Sequence, residues 1–545
     1  MSDLDADETT ASDAETSPGD VREPRGWTPG SVLLVGALFT LTAAVLVAAW
    51  VSDDALITLR TVDHFLHGRG LRFNPVERVQ SFTHPLWLFV VAPFMAVTGE
   101  GLWAPIAASL VCTAGAVAIA VRLCGPTGAG SWACVLVLAA SKSFVDYSTS
   151  GLENPLTHLL LAAFALVWLG ATDGGDGKGE SDEHSRRRVF QLTLLTALVF
   201  TNRMDAVLLV APAALWLGLG VLRSARLGRA LPAVLVGLAP ALLWLAFAWL
   251  YYGSPWPNTA FSKLSTGIER GPLVAQGLVY LRVFFELDAP GALALLAALV
   301  AGFASGRAEL RALTAGVPLY AAYVVWIGGD FMAGRFFATP VFVAAIVLGR
   351  SAREARPVWQ ARFGPAISVA AVALAAFSQG SPLRASTADT YELVDSSGQM
   401  PAHGVVDERL WYYTRSGALS AYREDGLEPG AACEGEPRVL VRRVCGGLGR
   451  IAFEGCADDH WIDPCGLSDA FLARRPIPEN ATWRIGHFMR AVPEGYGQSV
   501  AAGRGLMRDP ELNVEFDRVM LRVRGPVFGG ARLREILRHP FGSAD

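Results

Sequence analysis

The chain carries no charged residue between Arg25 and Asp53. That interval includes "GSVLLVGALFTLTAAVLVAAWV", and about twenty apolar residues suffice to cross roughly 30 Å of hydrocarbon. Comparable runs recur near 103–121, 130–144, 155–171, 189–201, 205–222, 231–251, 288–304, 312–328, 338–349 and 364–379. Inside lipid the backbone must satisfy its own hydrogen bonds, so such runs fold as helices. This feature predicts a polytopic α-helical membrane protein. A chain of 545 residues that is 52% hydrophobic and 18% charged fits the same class.

Sidedness follows from arginine. The segments at 186–188, 223–229, 307–311 and 350–362 are arginine-rich and are expected on the cytoplasmic side. They share a side only if the apolar run 84–99, which carries two prolines, is re-entrant or interfacial. About eleven crossings then place the N-terminus inside and the C-terminal part outside. Residues 1–20 hold seven acids and no base. The tail 1–30 therefore reads as disordered and solvated, without the basic start and early apolar core of a secretory signal.

Beyond about residue 380 the long apolar runs stop. Residues 381–545 suffice for one soluble domain. Short alternations such as "RVLVRRV" and "NVEFDRVMLRVRG" predict strands, hence a β-rich or mixed α/β extracytoplasmic domain. Cys433, Cys445, Cys456 and Cys465 cluster there without the spacing of a zinc knuckle. Two disulfides in an oxidising compartment are expected, with connectivity left open by the spacing.

The membrane region 31–380 presents its unusual polar residues on the predicted outer side. The first outer loop, 52–83, begins with Asp53 and Asp54, followed by Arg60. A helix from about Asp54 to His67 is predicted, ended by Gly68 and Gly70. Capping accounts for one of the two acids readily and for both adequately. An acid–base site is the other reading: a partly desolvated carboxylate takes a proton from a hydroxyl or holds a cation.

The remaining outer loops add "TSGLENPL" with Glu153, "TNRMDA" with Arg203 and Asp205, "YYGSPWPNTAFSK" with Asn258 and Lys263, and "GGDFMAGRFFA" with Asp330 and Arg335. Each has a local explanation: a helix start, an interfacial salt bridge, a snorkelling lysine or a glycine turn. Taken together they put four cations beside five acids. Cations at a membrane surface suit a lipid phosphate, and acids suit sugar hydroxyls and a general base. A transporter would need its polar residues at mid-span, where the predicted spans are almost free of charge.

The motif "DDALITLRTVDHFLHGRGLRFNP", followed by "SFTHPLW" with His84, resembles the first outer loop of GT-C-fold glycosyltransferases that use polyprenyl-phosphate sugars. "TSGLENPL", "YYGSPWPNTAFSK", "GGDFMAGRF", "DERLWYYTRSG" and the C-terminal "HWIDPCGLSDAFLAR" and "WRIGHFMR" extend the resemblance from about residue 50 to 500. It points in particular to the actinobacterial terminal β-(1→2) arabinofuranosyltransferases. It implies transfer of arabinofuranose from a polyprenyl-phosphate donor to a cell-envelope arabinan at the outer face of the plasma membrane, with membrane lipids around the chain and no nucleic-acid partner. Asp53 and Asp54 would be catalytic, Asp53 being preferred. Arg60, His84, Glu153, Arg203, Asp205, Asn258, Lys263, Asp330 and Arg335 would bind substrate, and the C-terminal domain would bind glycan through exposed tryptophans. A β product from a β-configured donor implies net retention, whereas a single general base gives inversion. A divalent cation is a possible addition, but two neighbouring acids do not make a metal site. Related proteins described as flagellar motor control proteins give a non-enzymatic alternative.

Overall fold

The computed structural model describes residues 29–125, 128–170, 182–223, 227–354, 403–420, 426–433, 435–442 and 444–539. The acidic tail, the expected span 364–379 and the boundary expected near residue 380 lie outside the described residues.

Each of the other expected spans falls on a helix. They are α1 (Pro29–Val47), α4 (Trp103–Cys124), α5 (Ala129–Ala140), α7 (Asn154–Gly170), α8 (Asp182–Asn202), α9 (Val207–Arg223), α10 (Leu227–Tyr252), α13 (Ala289–Ala304), α14 (Ala308–Trp326) and α15 (Arg335–Glu354). Five helices of the described residues are long and apolar enough to cross a membrane. Helix α12 (Arg270–Leu287) meets α13 at 107°, so the two form a bent pair. The run at 84–99 becomes α3 (Pro85–Thr98), whose 14 residues reach only about 21 Å. That is short of a full crossing, but so is α5 with 12 residues, so length does not separate a re-entrant α3 from the expected spans.

The helices pack closely where residues are small, a common solution in lipid, where association depends on tight backbone contact. A Cβ on Gly316 of α14 would sit 1.9 Å from the Leu209 carbonyl oxygen of α9. A Cβ on Gly237 of α10 would sit 2.0 Å from the Thr193 hydroxyl of α8. Any larger residue would force these pairs apart.

Three short helices sit at the polar end of the membrane region: α2 (Asp53–Leu66), α6 (Lys142–Asp146) and α11 (Asn258–Leu264). The C-terminal part adds α16 (Glu408–Ser416), β1 (Val439–Val441), α17 (Leu448–Glu454), β2 (His460–Ile462), α18 (Tyr496–Ala502), α19 (Pro510–Arg524) and α20 (Gly530–Arg538). Its described residues hold one parallel two-stranded sheet, Val439 opposite His460 through Val441 opposite Ile462. The domain is mixed, with helices dominating. "RVLVRRV" supplies β1, but the strand expected in "NVEFDRVMLRVRG" is helix α19. Phe516, Val519, Met520 and Val523 are buried on it at spacings of three and four, so the helical period overrides the local alternation. The four clustered cysteines form two disulfides, Cys433–Cys456 and Cys445–Cys465.

The C-terminal part does not merely rest on the membrane region. Val406 donates its N–H to the Phe331 carbonyl at 2.7 Å, and Ala333 donates to the Val406 carbonyl at 2.9 Å. Trp50 forms an antiparallel bridge with Gly417. The main core runs through both parts, joining Trp50, Trp87 and Phe337 with Val405, Phe453, Ile485 and Phe488.

Candidate active site

Helix α2 begins with Ser52, whose hydroxyl accepts the Ala55 N–H at 3.2 Å. The cap is therefore supplied by serine, and the two acids after it serve other ends. Successive positions on a helix point about 100° apart, and the two carboxylates diverge accordingly.

Asp53 turns to the C-terminal domain. Its carboxylate accepts the Gly449 N–H at 3.0 Å and the Arg450 N–H at 2.9 Å, at the start of α17. A Cβ on Gly449 would lie 1.8 Å from the Asp53 carbonyl oxygen, so glycine permits this contact. Asp54 turns the other way. Its side chain is 30% exposed and has an ion-pair partner in Arg335, at 3.9 Å. Burial nevertheless pushes the Asp54 carboxyl up to about 6, against the pull of Arg335 and Lys263 and with the help of Asp53 and Asp330.

Arg335 is the hub of the cluster. It reaches both Glu153 oxygens at 3.3 Å and Asp330 at 3.5 Å. Arg203 reaches Glu153 at 2.8 Å and Asp205 at 2.9 Å, and the Tyr320 hydroxyl donates to Asp205 at 3.0 Å. Burial alone would raise the Glu153 carboxyl, but Arg335 and Arg203 beside it hold it well below the usual carboxylate range. His84 lies 3.3 Å from Glu153, and its Nε2 lies 2.9 Å from the Thr58 hydroxyl. Burial brings the His84 imidazole down to about 4 in spite of Glu153, so it is neutral at pH 7.

Part of this cluster borders a cavity of about 290 Å³, whose lining does not include Asp54 or His84. Glu153, Arg203, Asp205, Lys263, Asp330 and Arg335 contribute to its polar wall, while Trp256, Leu264, Leu273, Phe336 and Ile485 make the other side apolar. Lys263 pairs with no carboxylate among the described residues, although it shares the cavity with several. Such a wall suits an amphiphile with a charged head and an apolar body.

Besides Asp53, two predicted residues are not brought into the cluster. Arg60 is buried, and its guanidinium donates to the backbone carbonyls of Phe73, Ala452, Ala457 and Asp459. It clamps α2 to the loop closed by Cys433–Cys456. Asn258 donates to the carbonyls of Gly466, Leu467 and Asp469, which ties α11 to the C-terminal domain. Their polar atoms are spent on backbone that unfolded neighbours would otherwise leave unpaired.

Sequence reasoning also missed part of the wall. Ile485, Gly486 and Phe488 close one side of the cavity, although "WRIGHFMR" had been assigned to a separate glycan-binding domain. Buried Glu408 lies 3.7 Å from Arg484, and Arg484 stacks over Phe331 next to Asp330. The available signal was the motif "DERLWYYTRSG", which contains Glu408. Of the C-terminal tryptophans, Trp411 is 36% exposed, while Trp461 and Trp483 are partly buried.

No protein-family model matches the chain. It is 30% identical over 360 residues to the terminal β-(1→2)-arabinofuranosyltransferase of Corynebacterium glutamicum. It is 28% identical over 424 residues to the protein of the same name from Mycobacterium tuberculosis. The resemblance read from the loops holds. The alignments cover 58% and 68% of this chain, and span 50% and 63% of those relatives. Among solved structures, the chain is similar to ArnT from Cupriavidus metallidurans bound to undecaprenyl phosphate. That similarity has a TM-score of 0.45 and 12% identity, over 70% of this chain and 68% of that one.

Proposed function

We propose that the protein is a membrane glycosyltransferase that moves arabinofuranose from a polyprenyl-phosphate donor to a cell-envelope arabinan. The observation that carries this reading is the contrast within the first acidic pair. Asp53 is consumed by two backbone N–H groups, whereas Asp54 is 30% exposed and reaches, at 3.9 Å, Arg335, which walls the cavity together with Arg203 and Lys263. The names of the two relatives supply the sugar; the donor and the acceptor follow from the resemblance of the loop motifs.

In this mechanism Asp54, rather than Asp53, accepts the proton of the acceptor hydroxyl. The hydroxyl oxygen forms the new bond to the anomeric carbon, and the bond from that carbon to the donor phosphate oxygen breaks. Lys263 takes the phosphate charge first, since its ammonium pairs with no carboxylate among the described residues, and Arg335 and Arg203 add to the positive field. The indole of Trp256, 40% exposed at the cavity wall, offers a face for a sugar ring. One base acting alone gives inversion at the anomeric carbon; net retention would need an intermediate step. A divalent cation fits poorly between the acids, because Arg335 already occupies the space among Asp54, Asp330 and Glu153.

The acidic cleft belongs to the outer face in this reading. Arg186, Arg307, Arg350 and Arg353 lie at the far ends of α8, α14 and α15, where positive-inside orientation puts the cytoplasm. The test is transfer of labelled arabinose from a polyprenyl-phosphate donor to an arabinan oligosaccharide by membranes carrying wild type or Asp54→Asn. Full activity of Asp54→Asn removes the catalytic assignment. Transfer from a hexose donor without transfer from the arabinose donor keeps the reaction class and removes the sugar.

A further inference from the structure

A second cavity lies at the opposite end of the membrane region. Helix α8 has 21 residues, so its Asp182 end is about 30 Å from the end that precedes Arg203. At the Asp182 end, Trp168, Asp182, Arg186, Arg188, Trp216 and Glu309 border a cavity of about 340 Å³. A third cavity, also of about 340 Å³, is lined by Leu192, Leu231, Val234 and Leu238 among others. The two share Val189, Leu217 and Val221. They form one groove, with a charged mouth and an apolar floor running between α8, α9 and α10.

The mouth is held in place by contacts that need no ligand. The Arg188 guanidinium lies 5.7 Å from the Trp168 ring and donates to the Trp168 carbonyl at 3.2 Å. Trp168 donates its indole N–H to the Glu309 carbonyl at 3.0 Å and meets Trp216 edge to face. Arg188 Nε is buried and has no hydrogen-bond partner among the described residues.

The charge pattern selects the occupant. A ligand that fits must be amphiphilic, because one end of the groove is charged and the other is apolar. Among the described residues the mouth holds two arginines and two acids, so a headgroup carrying both charges suits it better than an anion. Arginines match a phosphate, while carboxylates and indole faces match an ammonium. We propose that this groove binds a zwitterionic aminophospholipid of the phosphatidylethanolamine type. Its phosphate would meet Arg186 and Arg188, its primary ammonium Asp182 and Glu309, and one acyl chain would lie along the apolar floor. This inference is independent of the reaction assigned to the acidic cleft.

Two glycines make the test clean. Gly220 lines the mouth and Gly218 the floor, and a Cβ at either meets nothing within 4 Å. Gly220→Leu and Gly218→Phe should therefore obstruct the groove with no clash at Cβ and no loss of helix propensity. The experiment is native mass spectrometry of the full-length protein, equilibrated with equal amounts of dioleoyl-phosphatidylethanolamine, -phosphatidylcholine and -phosphatidylglycerol. Wild type should retain the ethanolamine lipid with roughly tenfold preference, as expected from one charged contact. Either glycine variant should lose the retained lipid while keeping the wild-type melting temperature. Asp182→Asn with Glu309→Gln should erase the preference over phosphatidylglycerol. Equal retention of the three lipids by wild type, or undiminished retention in both glycine variants, would overturn the proposal.

Discussion

Two buried clusters of charge lie at the polar end of the membrane region, and they have nearly the same composition. One joins Glu153, Asp330, Arg203 and Arg335. The other joins Asp146 and Asp407 to Lys142 and Arg409, with Lys142 paired to both acids and Arg409 to Asp146 at 2.7 Å. The first opens on a cavity and has the accessible Asp54 and the uncommitted Lys263 beside it. The second is closed: Arg409 is 1% exposed and stacks on Tyr413, pinning α16 to α6. Charge content alone therefore does not mark the site. What marks it is space, together with charged groups that the protein has left incompletely satisfied.

The largest expected effect separates the clusters by chemistry. Asp54→Asn should lower the transfer rate by about 10²- to 10⁴-fold, the usual contribution of a general base, with an unchanged melting temperature. Rate measurements on protein of verified fold check this; an unchanged rate would erase the functional side of the contrast. Arg409→Ala should act on the closed cluster instead. It leaves buried Asp146 with Lys142 as its one remaining cation, at a cost of up to about 3–5 kcal/mol, read as loss of folded protein on heating. A stable Arg409→Ala protein would show that the closed cluster does not hold α16.

Smaller effects sharpen the picture. Lys263→Gln should raise KM for the donor by about ten- to a hundredfold, as for loss of one charged hydrogen bond, while kcat changes little. Steady-state kinetics with varied donor separates the two parameters. Asp53→Asn should remove about 0.5–2 kcal/mol of stability, the usual worth of a helix cap. Its transfer rate should stay far above that of Asp54→Asn; parity between the two would restore Asp53 as the base. The mildest test is pH. Asp54 titrates near 6, and its base form is the charged one. The rate should therefore rise with pH through about 6 and level off above it, falling at most about tenfold per unit below. A flat profile between pH 5 and 7.5 would contradict the assignment.

Much of this site was legible in the loops. Glu153, Arg203, Asp205, Lys263, Asp330 and Arg335 come from separate segments of the chain, yet all line one cavity. The legible signal was a charged residue at the end of an apolar run on the predicted outer side. The same signal misled for Arg60 and Asn258, which hold backbone carbonyls of the C-terminal domain. Nothing local distinguishes a side chain that meets a ligand from one that meets a distant carbonyl. Lys142 and Asp146 went unremarked for the converse reason: their partners, Asp407 and Arg409, follow more than 250 positions later.

The sequence by itself determined the membrane class and the positions of the helices. Hydrocarbon demands long uncharged runs with internally satisfied backbone, and that demand is written residue by residue. It also placed two adjacent acids, Asp53 and Asp54, at the mouth of the first predicted outer loop. Only the tertiary structure gives them different surroundings. Gly449 and Arg450, nearly 400 positions away, bring two backbone N–H groups onto Asp53, while the turn of the helix carries Asp54 toward Arg335 and the cavity. Whether a carboxylate caps a helix or stands ready for a proton depends on which donors the fold delivers to it, and those donors come from elsewhere in the chain.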